Sequence, residues 1–169
     1  TTVIKSNKLN GDFSEIELIR EAVLRNNEVL ELKDLGAGSK NNSSSSRSVK
    51  DIASGGLTSA NYSALLYRLI KHFQMRQIVD LGTSWRVNTV YLAKYEATKV
   101  TTFEGDPSIA KVAQANFDQQ QAHNINIVEG NIDRTLSFFL DGSIRPDLVY
   151  IDANHRYDAT IRYFNTVIH

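Results

Sequence analysis

Two stretches of the chain carry glycines of the kind that hold a nucleotide-like ligand. One is Asp34-Leu35-Gly36-Ala37-Gly38, inside "KDLGAGSKNNSSSS"; the other is "IVDLGTSWRVNT", from Ile78 to Thr89. A glycine turn serves a ligand when it ends a buried strand and opens a helix, whose free N–H groups then face that ligand. The first stretch runs into Asn41, Asn42 and four serines with no helical pattern, so its glycines read as an exposed turn. The second has the right neighbours. The apolar run "QIVDL" precedes it, a helical pattern follows, and a second apolar run, "KVTTFEG", ends in Glu104, twenty-two residues beyond Gly82. A carboxylate at that place accepts two hydrogen bonds from the vicinal hydroxyls of a ribose.

The letters after Gly82 narrow the ligand. Thr83, Ser84, Trp85 and Arg86 stand where a dinucleotide site needs further glycines to bring the backbone against a pyrophosphate. A Gly-Lys-Ser/Thr phosphate loop is absent from the sequence. S-adenosylmethionine has a ribose and no phosphate, and one glycine suffices for it. The residues favour it over NAD or ATP.

The elements that must position these residues follow from periodicity. Ser14-Glu15-Ile16-Glu17 reads as a capping box, and Ile16, Ile19 and Val23 recur at helical spacing after it. Asn26-Asn27 ends that helix, and "VLELKDL" reads as a short extended piece. The polar run "SKNNSSSSRS" buries too little to offset its ordering entropy and is expected to be a flexible loop. From Thr58 onward, Leu65, Leu66, Leu69, Ile70 and Phe73 form one apolar stripe of a helix. Strand "QIVDLG" follows, then a helix over 85–95, strand "KVTTFEG", and a helix opened by Asp106-Pro107, a cap and a first-turn proline. Ile109, Val112, Ala113 and Phe117 are its expected buried face. "INIVEG" is a third strand, "NIDRTLSFFL" a short helix with Ile132 and Leu136 inward, and "DLVYIDA" a fourth strand. "DATIRYFNTVIH" closes with Ile161, Phe164 and Ile168 at helical spacing.

Alternating strands and helices imply an α/β fold with a Rossmann-like parallel sheet covered by helices on both faces. Composition sets the outer limits. Nineteen basic residues balance nineteen acidic ones, so no strong field points to nucleic acid or an anionic membrane. There are no cysteines, which excludes disulfides, thiolate metal sites and a cysteine nucleophile. Without an apolar run of membrane-spanning length or a signal-peptide pattern, the expected location is cytoplasmic.

In their order, "VDLGTS", "TTFEGDPSIAKVAQANF", "INIVEGNIDRTL" and "DLVYIDANHRY" resemble the class I S-adenosylmethionine-dependent methyltransferases, and within them the O-methyltransferase-like branch. The resemblance covers roughly residues 58–169, leaving 1–57 as an N-terminal accessory helix and loop. It implies strand order 3-2-1-4 for the four strands, and further strands beyond them, so that the domain is read as C-terminally truncated. It also implies roles. Asp80 and Gly82 line the methionine end of the cofactor with Thr83 and Ser84 beside them; Glu104 holds the ribose, with Gly105 and Asp106 around it. Asn131 sits near the adenine with Ile132 as an apolar contact, and Asp152 faces the transferred methyl and the substrate. In metal-dependent members an aspartate at that place is a metal ligand, which raises Mg2+ as a second cofactor, with Asn154 as a further oxygen donor.

Each role has a plainer counterpart. Glu104 is otherwise a solvated strand-end carboxylate, Asp152 a helix cap, His155 a surface histidine rather than a general base, and Trp85 a packing residue rather than a pocket wall. Arg86 departs from the family's usual glycine: its guanidinium either pairs with the cofactor's carboxylate or obstructs that pocket, or it pairs with Asp80 across an empty cleft. The expected function is methyl transfer from S-adenosylmethionine to a small-molecule oxygen. The competing readings are a non-catalytic methyltransferase-fold protein that binds cofactor weakly or not at all, and a nicotinamide-dependent oxidoreductase. The expected partner is a small-molecule acceptor, with a homodimer as a possible assembly.

Overall fold

The computed structural model describes residues 4, 11–31, 46–142 and 144–168. The Asp34–Gly38 turn and most of the serine-rich run lie outside the described residues. The described part of the N-terminal region begins with helix α1 (Ser14–Arg25). Strands β1 (Val29–Glu31) and β2 (Ser46–Ser48) then pair antiparallel, so the last three residues of the run expected to be a loop are a strand. Helices α2 (Val49–Gly56) and α3 (Ala60–Phe73) follow.

The rest alternates as expected: β3 (Gln77–Leu81), α4 (Val87–Ala93), β4 (Lys99–Glu104), α5 (Pro107–Gln119), β5 (Ile125–Glu129), α6 (Ile132–Leu140), β6 (Leu148–Ile151) and α7 (Tyr157–Ile168). The four strands β3 to β6 form one parallel sheet in the order β5-β4-β3-β6, which is the expected 3-2-1-4. Chain direction across the sheet reverses between β3 and β6, the place where open parallel sheets leave a crevice at their carboxyl ends.

Side-chain alternation divides the core. From β3, Val79 and Leu81 join Phe103, Ile132, Leu136, Ala159 and Tyr163 on the α6/α7 face. Ile78 points the other way, to Ile70, Leu92 and Val100 under α3 and α4. The N-terminal helices extend that second face: Phe13, Ile16, Ile19, Val23, Val49 and Ala53 pack with Tyr67, Val87, Tyr91 and Phe117.

Several local expectations are corrected. α1 starts at Ser14 itself, whose backbone N–H donates to Asp12 Oδ1 at 3.0 Å, and Phe13 holds the cap position without a side-chain bond. The Ser14–Glu17 capping box does not form, because the Glu17 carboxylate accepts from Arg20 and from Tyr91 Oη at 2.7 Å instead. The cap with that chemistry lies at Ser48, which accepts from the Asp51 N–H and donates to the Asp51 carboxylate, opening the unexpected α2. Three helices turn inward a stripe that differs from the expected one, in part for α3 and α5 and wholly for α7. α3 buries Ser63, Ala64, Tyr67 and Ile70 while Phe73 is exposed; α5 buries Ala110, Ala113 and Phe117 while Val112 is part exposed. α7 buries Ala159 and Tyr163 and leaves Tyr157, Ile161, Phe164 and Ile168 outward. In each case small side chains, which allow close approach, occupy part of the packed face.

Phe13 stacks on Tyr91 at 4.6 Å between ring centroids and meets Tyr67 edge-on at 5.2 Å. Phe13→Ala is therefore expected to cost about 3–5 kcal/mol, the range for deleting a buried aromatic ring. Urea unfolding measures it, and a loss below about 1 kcal/mol would show that α1 is not part of this core.

Candidate functional site

The carboxyl ends of β3, β4 and β6 are stitched together at one level. The Gly82 and Thr83 N–H groups both donate to the Phe103 carbonyl, at 3.0 and 3.1 Å, and the Asp152 N–H donates to the Leu81 carbonyl at 2.9 Å. Gly82 has φ +108°, a left-handed value that favours glycine. A Cβ there would lie 2.8 Å from the Asp152 carbonyl oxygen and 3.2 Å from the Ala153 nitrogen. The turn after β3 and the turn after β6 are thus in backbone contact. Only a residue without a side chain fits between them.

Asp80 lies directly beneath. It is 1% exposed, and its Oδ2 accepts from Thr89 Oγ1 at 2.6 Å and from Thr102 Oγ1 at 3.1 Å. The hydroxyl of Thr102 has one proton, given to Asp80, so in its 2.7 Å contact with Thr83 Oγ1 it must accept. The order is Thr83 to Thr102 to Asp80. The Thr83 hydroxyl therefore turns into the core, and among Gly82, Thr83 and Ser84 only the glycine and the half-buried serine face outward. Asp80 Oδ1 has no partner among the described residues. Burial pushes the Asp80 carboxyl up to about 7, against the two threonine hydroxyls that favour its charge; Asp152 and Glu104 push it the same way as burial.

Glu104 ends β4 with both oxygens held by backbone: Oε2 by the Ser84 N–H and Oε1 by the Asp106 N–H, each at 3.0 Å. Burial raises its pKa and these N–H groups oppose the rise. Each carboxylate oxygen keeps a second lone-pair direction for an outside donor. Asp106 caps α5 by accepting from Ser108 and Ile109. Asp152 at the end of β6 is half-buried, which raises its pKa; the charge of His155 and the hydroxyls of Thr58 and Tyr150 oppose that rise. Thr58 Oγ1 lies 3.4 Å from Asp152 Oδ2 and 3.1 Å from Tyr150 Oη, and its carbonyl accepts from Arg20 at 2.6 Å. The N-terminal helix thereby reaches the Asp152 side of the crevice.

Of the residues singled out in the sequence, Asp80, Gly82, Ser84, Glu104, Gly105, Asp106 and Asp152 meet around this edge. Asn131 and Ile132 follow β5. Asn131 is exposed and caps α6 through the Asp133 N–H, and Ile132 is in the core beneath. His155 is exposed, with a left-handed φ of 37°. Asn154 places its amide near Tyr163 Oη at 3.4 Å, and its Oδ1 has no partner among the described residues. No group of three His, Cys, Asp or Glu side chains suited to a metal occurs among the described residues. Arg86 forms no ion pair with Asp80 among the described residues. Asn88, in the first turn of α4, has both amide atoms buried and without a partner among the described residues.

Residues 79–169, just over half of the chain, match the family described as a methyltransferase domain. The chain belongs to that family. No curated protein matches it. Among solved structures, the O-methyltransferase TomG from Streptomyces achromogenes, in complex with SAM, is 25% identical with a TM-score of 0.60, covering 67% of this chain and 52% of that one. An O-methyltransferase from Bacillus cereus in complex with SAH is 20% identical, with a TM-score of 0.61 and coverage of 67% and 52%. A cofactor-bound protein from MTB covers 98% of this chain and 63% of its own, at 22% identity and a TM-score of 0.65. The chain thus spans about half to five-eighths of the length of these structures. Their likeness confirms the methyltransferase-type sheet.

The raised pKa of Asp80 has a measurable sign. In the folded chain the group holds its proton to about 7, whereas unfolded aspartate releases it near 3.9. The native state binds more protons between those values, so Asp80 makes stability fall as pH rises from about 4 to about 7, then level off. In Asp80→Asn this component is lost, and unfolding midpoints recorded from pH 4.5 to 8 should be flatter than those of the wild type. Parallel curves for the two proteins would contradict a buried, proton-holding Asp80.

Proposed function

We propose that the chain binds S-adenosylmethionine at the carboxyl edge of β3, β4 and β6 and takes part in methyl transfer to an oxygen of a small molecule. The observation that carries this reading is Glu104: a half-buried carboxylate whose two oxygens are fixed by the Ser84 and Asp106 N–H groups, one strand away from the left-handed Gly82 turn. Its remaining lone pairs are oriented in advance for the two hydroxyls of a ribose. Membership of the methyltransferase-domain family supports the cofactor, and the likeness to TomG supports an oxygen acceptor.

When bound, the cofactor would supply an electrophilic methyl carbon, whose bond to the sulfonium sulfur would break as the acceptor oxygen bonds to it, leaving S-adenosylhomocysteine. The chain's own residues hold and orient. Glu104 fixes the ribose; Gly82 lets the turns after β3 and β6 meet where a Cβ would strike the Asp152 carbonyl. Asp152 stands on the opposite wall as the anionic group facing the sulfonium, held in place by Thr58. His155, exposed on the following loop, is the proposed base that takes the proton the acceptor hydroxyl loses.

Calorimetry with S-adenosylmethionine, S-adenosylhomocysteine and NAD tests the reading. Binding of the first two and not the third is expected. Glu104→Ala should weaken S-adenosylmethionine by about 1.5–3 kcal/mol, the worth of hydrogen bonds to a charged group. Asp34→Ala should change it little. Tighter NAD binding, or equal losses from the two substitutions, would remove the assignment of this turn. Transfer of labelled methyl to a panel of phenols and enols then identifies the acceptor.

A further inference from the structure

A second cavity, of about 240 Å3, lies outside the crevice just described. Trp85 and Arg86 line it on one side, Asn26 and Glu28 at the end of α1 on another, and Val112 and Asn116 of α5 on a third. Gly82, Glu104 and Asp152 are not among its lining residues. Two features set it apart from a packing gap. Trp85 is 3% exposed and its indole Nε1 has no acceptor among the described residues. Beside it, the Arg86 Nε is likewise buried and unpartnered, and no carboxylate among the described residues pairs with the guanidinium. Burial alone lowers its pKa, to about 10, with no anion acting the other way.

A buried donor without an acceptor costs about 1–3 kcal/mol, and more for a charged one. Two such donors on adjacent residues, at one cavity, call for the same kind of partner: an oxyanion. The remaining wall narrows its nature. Ala22, Val23, Leu30, Val49 and Val112 are apolar, and the exposed Glu28 carboxylate at the lining disfavours a second negative charge. The volume corresponds to roughly eight waters at ~30 Å3 each. We infer that this cavity is a binding site for a small monocarboxylic acid with an apolar body, its carboxylate held by the Arg86 guanidinium and the Trp85 indole N–H. A carboxylate matches the planar guanidinium fork. The inference does not require any cofactor to bind.

Trp85 is the only tryptophan, so its fluorescence reports the site directly. The intact chain is titrated with cyclohexanecarboxylate, with cyclohexanemethanol as the uncharged counterpart and with inorganic phosphate. A saturable change with the carboxylate alone is expected. Arg86→Met should weaken it at least tenfold without lowering the thermal midpoint, and Arg86→Lys should keep more of it. Should Arg86→Met fail to fold, Val112→Phe narrows the cavity from a part-exposed position with the charge intact, and is expected to abolish the change. An equal response to the alcohol or to phosphate would overturn the inference, as would carboxylate binding unaffected by Arg86→Met or, where that variant is used, by Val112→Phe. Displacement of the carboxylate by S-adenosylhomocysteine would also overturn it, by making the cavity part of the cofactor crevice. Failure of cofactor binding with the carboxylate response intact would fall on the proposed function alone.

Discussion

Everything at the carboxyl edge of the sheet rests on the buried Asp80. A carboxyl group in the middle of a parallel sheet is costly unless its lone pairs are filled. Here the filling comes from two elements: Thr89 of α4 and Thr102 of β4. Through Thr102 the chain of hydroxyls continues to Thr83, in the turn itself. One side chain thus ties the central strand, its neighbour, the helix after the turn and the turn together. The turn's backbone is then free to present Gly82 and the Ser84 N–H, and the Ser84 N–H is what fixes Glu104.

This dependence explains what the sequence could and could not disclose. The four strands were legible because each is a short apolar run stopped by Gly or Asp. The start of α5 was legible because its signal is local, Asp106 capping within three residues. Gly82 and Glu104 could be paired because strand, helix and strand set their separation. The Thr83–Thr102–Asp80 chain was not legible, since its members are nineteen and twenty-two positions apart and threonine in a strand carries no mark of its partner. Thr58 and Tyr150, ninety-two positions apart, belong to the same class.

Helix faces failed for another reason. Periodicity states that a stripe exists, and α3 and α7 each carry two at different angles. In α7 the larger side chains, Ile161 and Phe164, lie outward and the smaller Ala159 lies against the sheet beside Tyr163. Closeness of approach to a sheet chose between the stripes, and that is a property of the assembled fold. At the N-terminus the same limit shows in Glu17. Its sequence neighbours favour a cap, yet a tyrosine seventy-four positions away takes its carboxylate.

The glycine at position 82 has one more meaning. Its missing Cβ would sit 2.8 Å from the Asp152 carbonyl, so the two turns touch with nothing between them. In-line transfer requires reacting atoms brought to roughly 3–3.5 Å along one axis. The turn after β3 and the turn after β6 are therefore set at a spacing with no shim in it. That spacing is a fixed gauge, given by the thickness of two peptide backbones, against which any ligand spanning the crevice must be cut to length.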